Sequence, residues 1–381
     1  MIDIKTPMEC CGCSACASIC NHDAISMQPD ALGFLYPKVD MDKCINCGLC
    51  EKVCAFNQYY DTSQNLPEPI VYGARHKDIQ SVMLSRSGAV FIALSDFVLD
   101  QGGVVYGVGF EGHFHVVHKL ATNKIERDEF RGSKYVQSDM RNTFPLVKKD
   151  LIDGRLVMFV GTPCQTSGLN SYIGTRLRNN LLLIDIVCHG TPSPYLWRDY
   201  IDYLENKSGN KIVKVNFRDK MKFGWVAHHE TYMYDNCSES VVAETNFYRS
   251  IFFRKSCNVC HFCNLRRPSD ITLGDFWGWE KQDVEINNDD KGLNLVLINT
   301  SRGGWLFEQA KANLIVFLAH GNTYLQPNLC HPTAMHPFRD MLEQDYTSKG
   351  FEYVFFHDYD HATIMERVRR KFLIIKKRMV K

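Results

Sequence analysis

The chain has 381 residues, 45% of them hydrophobic, with 44 Lys and Arg against 43 Asp and Glu and a formal net charge of +1. That balance argues against a dedicated nucleic-acid binder or a strongly steered polyionic substrate, and no apolar run reaches the roughly 18 residues of a membrane span. The chain has sixteen cysteines, and its N-terminal stretch, MIDIKTPMECCG, shows no basic and then apolar leader pattern, so they point to a reducing cytoplasm and to metal.

The first element in chain order is a repeated C-x2-C-x2-C-x3-C, at Cys10, Cys13, Cys16 and Cys20 and again at Cys44, Cys47, Cys50 and Cys54. This is the spacing of a ferredoxin domain with two 4Fe-4S clusters, in which each triplet holds one cluster and the fourth Cys ligates the other. Cys10, Cys13, Cys16 and Cys54 then form one ligand set, and Cys44, Cys47, Cys50 and Cys20 the second. Structural zinc prefers two C-x2-C pairs with a longer gap. The Pro that usually follows the fourth Cys is Asn21 in one run and Ala55 in the other, which removes no ligand. Cys11 reads as a spare, small buried residue. A strand pattern at 24 to 27 and a turn, DALGFLYP, separate the runs, and the small domain ends near Tyr60. The polar, Pro-containing stretch 61–69 reads as a linker.

From Ile70 the pattern alternates. Residues 70–76 read as a strand, 87–102 as an amphipathic helix, and 103–110 with 113–120 as adjacent strands. Gly107, Gly109 and Gly112 match G-x-G-x-x-G, but the segment after them alternates like a strand, and a dinucleotide fingerprint must open a helix. Two apolar runs, 155–161 and 181–190, flank a helical stretch and predict parallel strands whose carboxyl ends share an edge, the edge ligands favour. The fold class expected is α+β: a two-cluster bacterial ferredoxin-like domain (1–60), the linker (61–69), and a larger mixed α/β domain. That domain divides into 70–150 and 151–335, with an extension at 336–381.

Cys164 in GTPCQ and Cys188 in CHG sit at the ends of the two parallel strands, and Cys257 and Cys260 form a further C-x2-C. Together they could complete a third 4Fe-4S site, or each could be a small buried residue. Cys263 extends the last run and competes as a ligand, whereas Cys237 and Cys330 fall in no ligand pattern.

The double run, SRSGAVFIAL (85–94), GSKYVQS (132–138), GTPCQ (161–165), VCHGTPSP (187–194), VNFRDK (215–220), SCNVC (256–260) and SDITLGDFWG (269–278) together resemble the beta subunit of coenzyme F420 hydrogenases and dehydrogenases, over roughly residues 5 to 315. The resemblance implies FAD and a cluster in the larger domain, with Cys164, Cys188, Cys257 and Cys260 as ligands. It assigns Ser85, Ser87 and Gly88 to a helix N-terminus suited to a pyrophosphate, although an ordinary Ser N-cap has the same pattern. Lys134 and Tyr135 would supply a cation and an aromatic face, Asn216 and Arg218 one face of a strand, and Asp275 a contact to a ribose or flavin edge. Position 263 is usually not Cys in that family.

These readings predict a cytoplasmic oxidoreductase in which clusters and a flavin join one-electron and two-electron chemistry. The substrate expected is a small two-electron acceptor or donor such as coenzyme F420 or an unsaturated molecule, and the external partner a ferredoxin or a dehydrogenase subunit. The competing expectation is an electron-transfer subunit that docks a separate catalytic partner. His189 is the candidate proton donor, though a hydrogen bond from it to a cluster sulfur is the simpler role. Finally, 361–381 reads as a basic amphipathic helix, with Ile364, Val368, Phe372 and Ile375 at helical spacing. It is a candidate for peripheral membrane contact, and a terminal helix packed on the domain with a solvated basic face is the simpler alternative.

Overall fold

A computed structural model of the chain describes residues 1–54, 56, 60–243, 249–282, 284–361 and 363–379; Ala55 therefore lies outside the described residues. The two cysteine runs are curled by the same device. Gly12 (φ +73°) and Ser14 (φ +66°) are left-handed in the first, and Asn46 (φ +54°) and Gly48 (φ +76°) in the second, at matching places in the repeat. Each run then enters a short helix, Ala15–Ser18 or Leu49–Lys52. Between them β1 (Ile25–Pro29) and β2 (Leu35–Val39) form an antiparallel hairpin. Its turn is held by Asp30 Oδ1, which accepts from the backbone N–H groups of Leu32 and Phe34 at 2.9 Å each.

The larger domain contributes β3 (Asn65–His76), β4 (Val104–Glu111), β5 (His115–Ala121), β6 (Val157–Gly161), β7 (Leu181–Ile186), β8 (Ile212–Asn216), β9 (His229–Tyr234), β10 (Glu239–Ala243), β11 (Ile271–Asp275), β12 (Asn294–Thr300) and β13 (Leu314–Leu318). Eight of these make one sheet in the order β13-β3-β12-β11-β7-β6-β4-β5, and β10-β9-β8 make a small antiparallel one. The expected linker is shorter than its composition suggests, because β3 begins at Asn65, inside it. Pro67 and Pro69 are tolerated there: β13 pairs only with Tyr72 to His76, and the register with β12 shifts between Ile298 and Thr300.

The strand, helix, strand unit forms as its sequence predicts. β6 leads into the helix Pro163–Ile173 and then β7, parallel, with Val157 opposite Leu181 and Gly161 opposite Asp185. β4 and β11 extend the parallel block on either side, so four carboxyl ends meet at one edge. Gly107 and Gly109 lie within β4 and Gly112 in the turn to β5, consistent with setting aside a dinucleotide fingerprint.

The sheet is covered on both faces, and its alternation shows how. Val105, Met158, Leu182 and Ile184 pack under the helices Val90–Asp100 and Ser301–Ala310. Their neighbours Tyr106, Phe159, Leu181 and Leu183 face the opposite way, into a cluster shared with Leu169 of the helix after β6 and with Cys11, Cys13, Ala15 and Phe56 of the ferredoxin domain. That domain also inserts Leu32 and Phe34 between Leu196, Trp197 and Tyr200, where helices from 339–356 add Met341, Leu342 and Phe355. It is thus part of the core and not a tethered appendage.

Gly168 lies inside the helix after β6, where Ala would ordinarily gain about 1 kcal/mol. A Cβ there would stand 2.7 Å from Cys13 Sγ. Gly168→Ala is expected to destabilise the protein by about 1–3 kcal/mol through overpacking, measured as a lower thermal midpoint under anaerobic conditions; a raised midpoint would show that the docked domain yields freely.

Candidate redox site

The eight N-terminal cysteines are graded in exposure: Cys10, Cys13, Cys16 and Cys50 are buried, Cys20, Cys44 and Cys54 half-buried, and Cys47 exposed. Burial pushes the Cys16 thiol up, and the charges it feels come from Cys13, Cys10 and Cys54. Cys54 packs against the small cluster that holds Cys16 of the first triplet and Cys50 of the second. Backbone N–H groups donate to three of the sulfurs: Ile2 to Cys50 at 3.1 Å, Gly12 to Cys10 at 3.4 Å and Ala24 to Cys20 at 3.4 Å. Hydrogen bonds of this kind favour thiolate and raise a cluster's potential.

A second group of thiols lies at the carboxyl edge of the sheet. Cys164 is in the first turn after β6, Cys188 follows β7, and Cys257 and Cys260 come from the turn at 255–260. All four line one small cavity, together with Cys263 and Cys11. Hydroxyls reach two of the sulfurs, Thr162 Oγ1 at 3.1 Å from Cys164 and Thr191 Oγ1 at 3.7 Å from Cys257. Among the described residues no group of three or more His, Cys, Asp and Glu side chains is gathered as ligands of a single ion. Four thiolates spread over the corners of a cubane are a different arrangement, and an all-sulfur donor set with hydroxyl donors beside it fits one. Cys263 hydrogen-bonds Cys260 and is lowered by it. Cys237 and Cys330 are exposed and away from this cavity.

Two residues that the cysteine spacing does not single out join the thiol groups. Cys11 is within hydrogen-bonding reach of both Cys13 and Cys164, which raises its own thiol and lowers theirs. It is the covalent neighbour of one site and part of the wall of the other. Arg254 is 1% exposed. Its Nε donates to Cys10 O at 2.8 Å, Nη1 to Gln137 Oε1 at 3.0 Å and Nη2 to Leu35 O at 2.9 Å, and its guanidinium lies 4.1 Å from the Tyr36 ring centroid. Burial raises the Cys10 and Cys257 thiols and the Cys11 hydrogen bonds lower Cys13 and Cys164; on all four the Arg254 charge acts downward. The Cys10-Cys11 doublet was the one sequence signal for this junction; Arg254 had none.

Beside the thiol cavity is a cleft of about 470 Å³ at the ends of the parallel strands, within the size range of cofactor sites. Of the residues singled out in sequence, Ser85, Ser87, Lys134, Tyr135, Arg218, Asp275 and His189 line it. Gly88 and Asn216 do not. Gly88 is packed against the sheet, where a Cβ would meet Ala74 O at 2.4 Å. β8 ends at Asn216, whose Oδ1 accepts from Arg218 N at 3.2 Å, so the two are not on one strand face as expected; Asn216 shapes the turn that sends Arg218 into the cleft.

Ser87 Oγ already donates to Leu293 O at 2.6 Å, and Lys134 Nζ donates to the Glu129 and Arg131 carbonyls while burial brings its pKa down to about 7. Arg218 Nη1 is 3.0 Å from Asp275 Oδ2. Other donors remain unpaired: Ser85 Oγ, Arg131 Nη1 and Arg218 Nε are buried without a hydrogen-bond partner. Buried orphan donors are costly, and an anionic ligand with several oxygens would satisfy them. Burial lowers the pKa of His189, partly countered by Asp275. The cleft and the thiol cavity share Cys188, Gly190 and Thr191 as a common wall.

Residues 154–320 match the family model for the C-terminal region of the coenzyme F420 hydrogenase/dehydrogenase beta subunit, and residues 9–58 match a 4Fe-4S dicluster domain. The protein is thus an iron-sulfur protein of the oxidoreductase type. Its residues 154–320 are those of the C-terminal region of a coenzyme F420 hydrogenase/dehydrogenase beta subunit, with the dicluster domain at the front of the chain. Among solved structures it is similar to a chain of the F420-reducing NiFe hydrogenase complex from Methanosarcina barkeri, with 15% identity, a TM-score of 0.48, and coverage of 78% of this chain and 93% of that one. No curated protein matches it.

A buried cation beside a cluster stabilises the reduced form. Arg254→Gln is therefore expected to shift the dicluster potential to more negative values, whereas Arg254→Lys holds it closer to the parent. An EPR-monitored redox titration checks this; an unchanged potential in fully iron-loaded Arg254→Gln would leave the residue a packing role alone.

Proposed function

We propose that the chain is an iron-sulfur flavoprotein oxidoreductase that passes electrons between 4Fe-4S clusters and FAD, to or from a small two-electron organic substrate such as coenzyme F420 or an unsaturated molecule. The observation that carries this reading is the common wall: a cofactor-sized cleft and a cavity lined by thiols meet at Cys188, Gly190 and Thr191. The third cluster is assigned to Cys164, Cys188, Cys257 and Cys260. When bound, FAD exchanges single electrons with a cluster and a hydride with a substrate.

The chain's own residues divide the work. Ser85, Arg131 and Arg218 offer donors to phosphate oxygens, and the salt bridge with Arg218 fixes the Asp275 carboxylate for a ribose or ring contact. His189 lines the cleft and not the thiol cavity, which favours holding a proton on its imidazole for the substrate over bonding a cluster sulfur. Cys47 is the exposed ligand of the dicluster domain and marks the side on which an external redox protein would dock. Cys11, a residue of the dicluster domain, then lies between its ligand Cys13 and Cys164 of the third site. The direction of flow follows the potentials of the partners.

Iron, acid-labile sulfide and flavin on anaerobically purified protein test the assignment. Twelve irons and one flavin per chain are expected from three four-iron clusters and one FAD, to order of magnitude about a dozen metals per chain. About eight irons and no flavin would instead favour an electron-transfer subunit that docks a separate catalytic partner. Arg131→Met is expected to lower flavin retention about tenfold, the loss of one charge-assisted hydrogen bond, with iron content unchanged; retention equal to the parent would remove Arg131 from the site.

A further inference from the structure

The last helix, Ile364–Met379, is attached to the body by its polar side. Arg369 Nη1 donates to Asp345 Oδ1 at 2.7 Å, and Asp345 is fully buried. Glu366 Oε1 lies 2.7 Å from His357 Nε2, and the Arg370 guanidinium is 5.5 Å from the Phe338 ring centroid. Leu373 adds an apolar contact to the same core. The opposite side carries Ile364, Met365, Val368 and Phe372, which are 82%, 80%, 46% and 67% exposed. Ile364, Val368 and Phe372 follow one another at intervals of four, so they form one stripe. A helix packed on a globular body ordinarily turns its apolar stripe inward and its charges outward. Here the arrangement is inverted.

Charge identifies what the stripe meets. Residues 361–381 carry eight Lys and Arg against one Glu, a net +7 in a chain of net +1, which leaves the rest of the protein six charges negative. Exposed Arg367 and Lys371 flank the apolar stripe on the described part of the helix, and the sequence continues with Lys376, Lys377 and Arg378. Long basic side chains beside an apolar stripe suit a headgroup boundary, where stems lie along acyl chains and charges reach phosphates. A protein interface core, in contrast, is depleted of Lys. The helix has 16 residues, about 24 Å at 1.5 Å per residue, and no described helix is long and apolar enough to cross a membrane. It can lie in the interface plane.

We propose that this helix is an in-plane anchor that seats the protein on an anionic lipid bilayer, with Ile364, Met365, Val368 and Phe372 entering the acyl boundary. The acidic remainder of the chain would be repelled by the same surface, so the helix also sets the orientation. This goes beyond the redox assignment and stands or falls separately from it.

The test is co-sedimentation of the full-length, cluster-loaded protein with phosphatidylcholine vesicles, with and without phosphatidylserine. Binding is expected only with phosphatidylserine, weakened by added salt, and reduced about tenfold or more by Phe372→Asp, since burying one large apolar side chain and its charge contacts is worth at least that factor. Phe372 is solvent-exposed, so the variant should fold; an unchanged cluster absorbance spectrum verifies it. No sedimentation with phosphatidylserine vesicles overturns the proposal, as does sedimentation that Phe372→Asp leaves unchanged. A stable protein complex or dimer that Phe372→Asp dissolves, without lipid binding, also overturns it and assigns the stripe to a protein partner.

Discussion

The structure depends on the docking of the dicluster domain against one face of the large sheet. Apolar contact supplies the attraction, through Cys11, Cys13 and Phe56 against Phe159, Leu169 and Phe262. Arg254 supplies the register. A guanidinium at 1% exposure would be strongly unfavourable without partners, and it is satisfied only when Cys10 O, Leu35 O and Gln137 Oε1 come together. Two of those acceptors belong to the dicluster domain and one to the large domain, so the cation is at ease in the docked arrangement alone. The same placement puts its charge beside thiols of both groups. One residue therefore couples the packing of the domains to the electrostatics of the sulfur sites.

How much of this was legible in the sequence follows from the range of each constraint. Ligand spacing is a local covalent matter, and both cysteine runs, with their left-handed residues at equivalent positions, fold as the repeat predicts. The unit of β6, helix and β7 was legible for a similar reason: two apolar runs joined by a helical length of chain leave the right-handed parallel crossover as the favoured solution, and that solution sets Cys164 and Cys188 on one edge. Cys11 and Arg254 were not legible, because their roles exist only after residues about 150 and 240 positions apart have met. Asn216 and Arg218 failed differently. Period-two alternation placed them on a strand face, but β8 stops at Asn216, whose side chain caps the turn instead.

The cleft and the thiol cavity are adjacent because of strand order. β4, β6, β7 and β11 are parallel neighbours, so the segments leaving them emerge side by side. The β7 exit, from Val187 to Thr191, faces both spaces. A ligand in the cleft and a sulfur site in the cavity would then be separated by the wall of Cys188, Gly190 and Thr191. Asp275 at the end of β11 and His189 just past β7 line the cleft side alone, with Arg218 holding the carboxylate from the small sheet's side.

The terminal helix shows where periodicity stops being informative. A hydrophobic stripe at helical spacing reveals that two faces exist, and the usual inference assigns the apolar one to the core. Which face docks is decided by the body, here by Asp345, a fully buried carboxylate 24 residues earlier that takes charge-assisted contacts from Lys349 and Arg369. Arg369 adds a further charge-assisted contact to a carboxylate that Lys349 and Tyr359 already reach, and such contacts to a buried charge are stronger than neutral ones. That anchoring leaves the stripe of Ile364, Met365, Val368 and Phe372 facing water, at roughly 1.5–3 kcal/mol for each large apolar side chain left fully exposed, and the +7 charge of the segment is the kind that an anionic surface attracts. The polar anchoring of the helix and its apolar exposure are thus one design: the first fixes the face that the second presents.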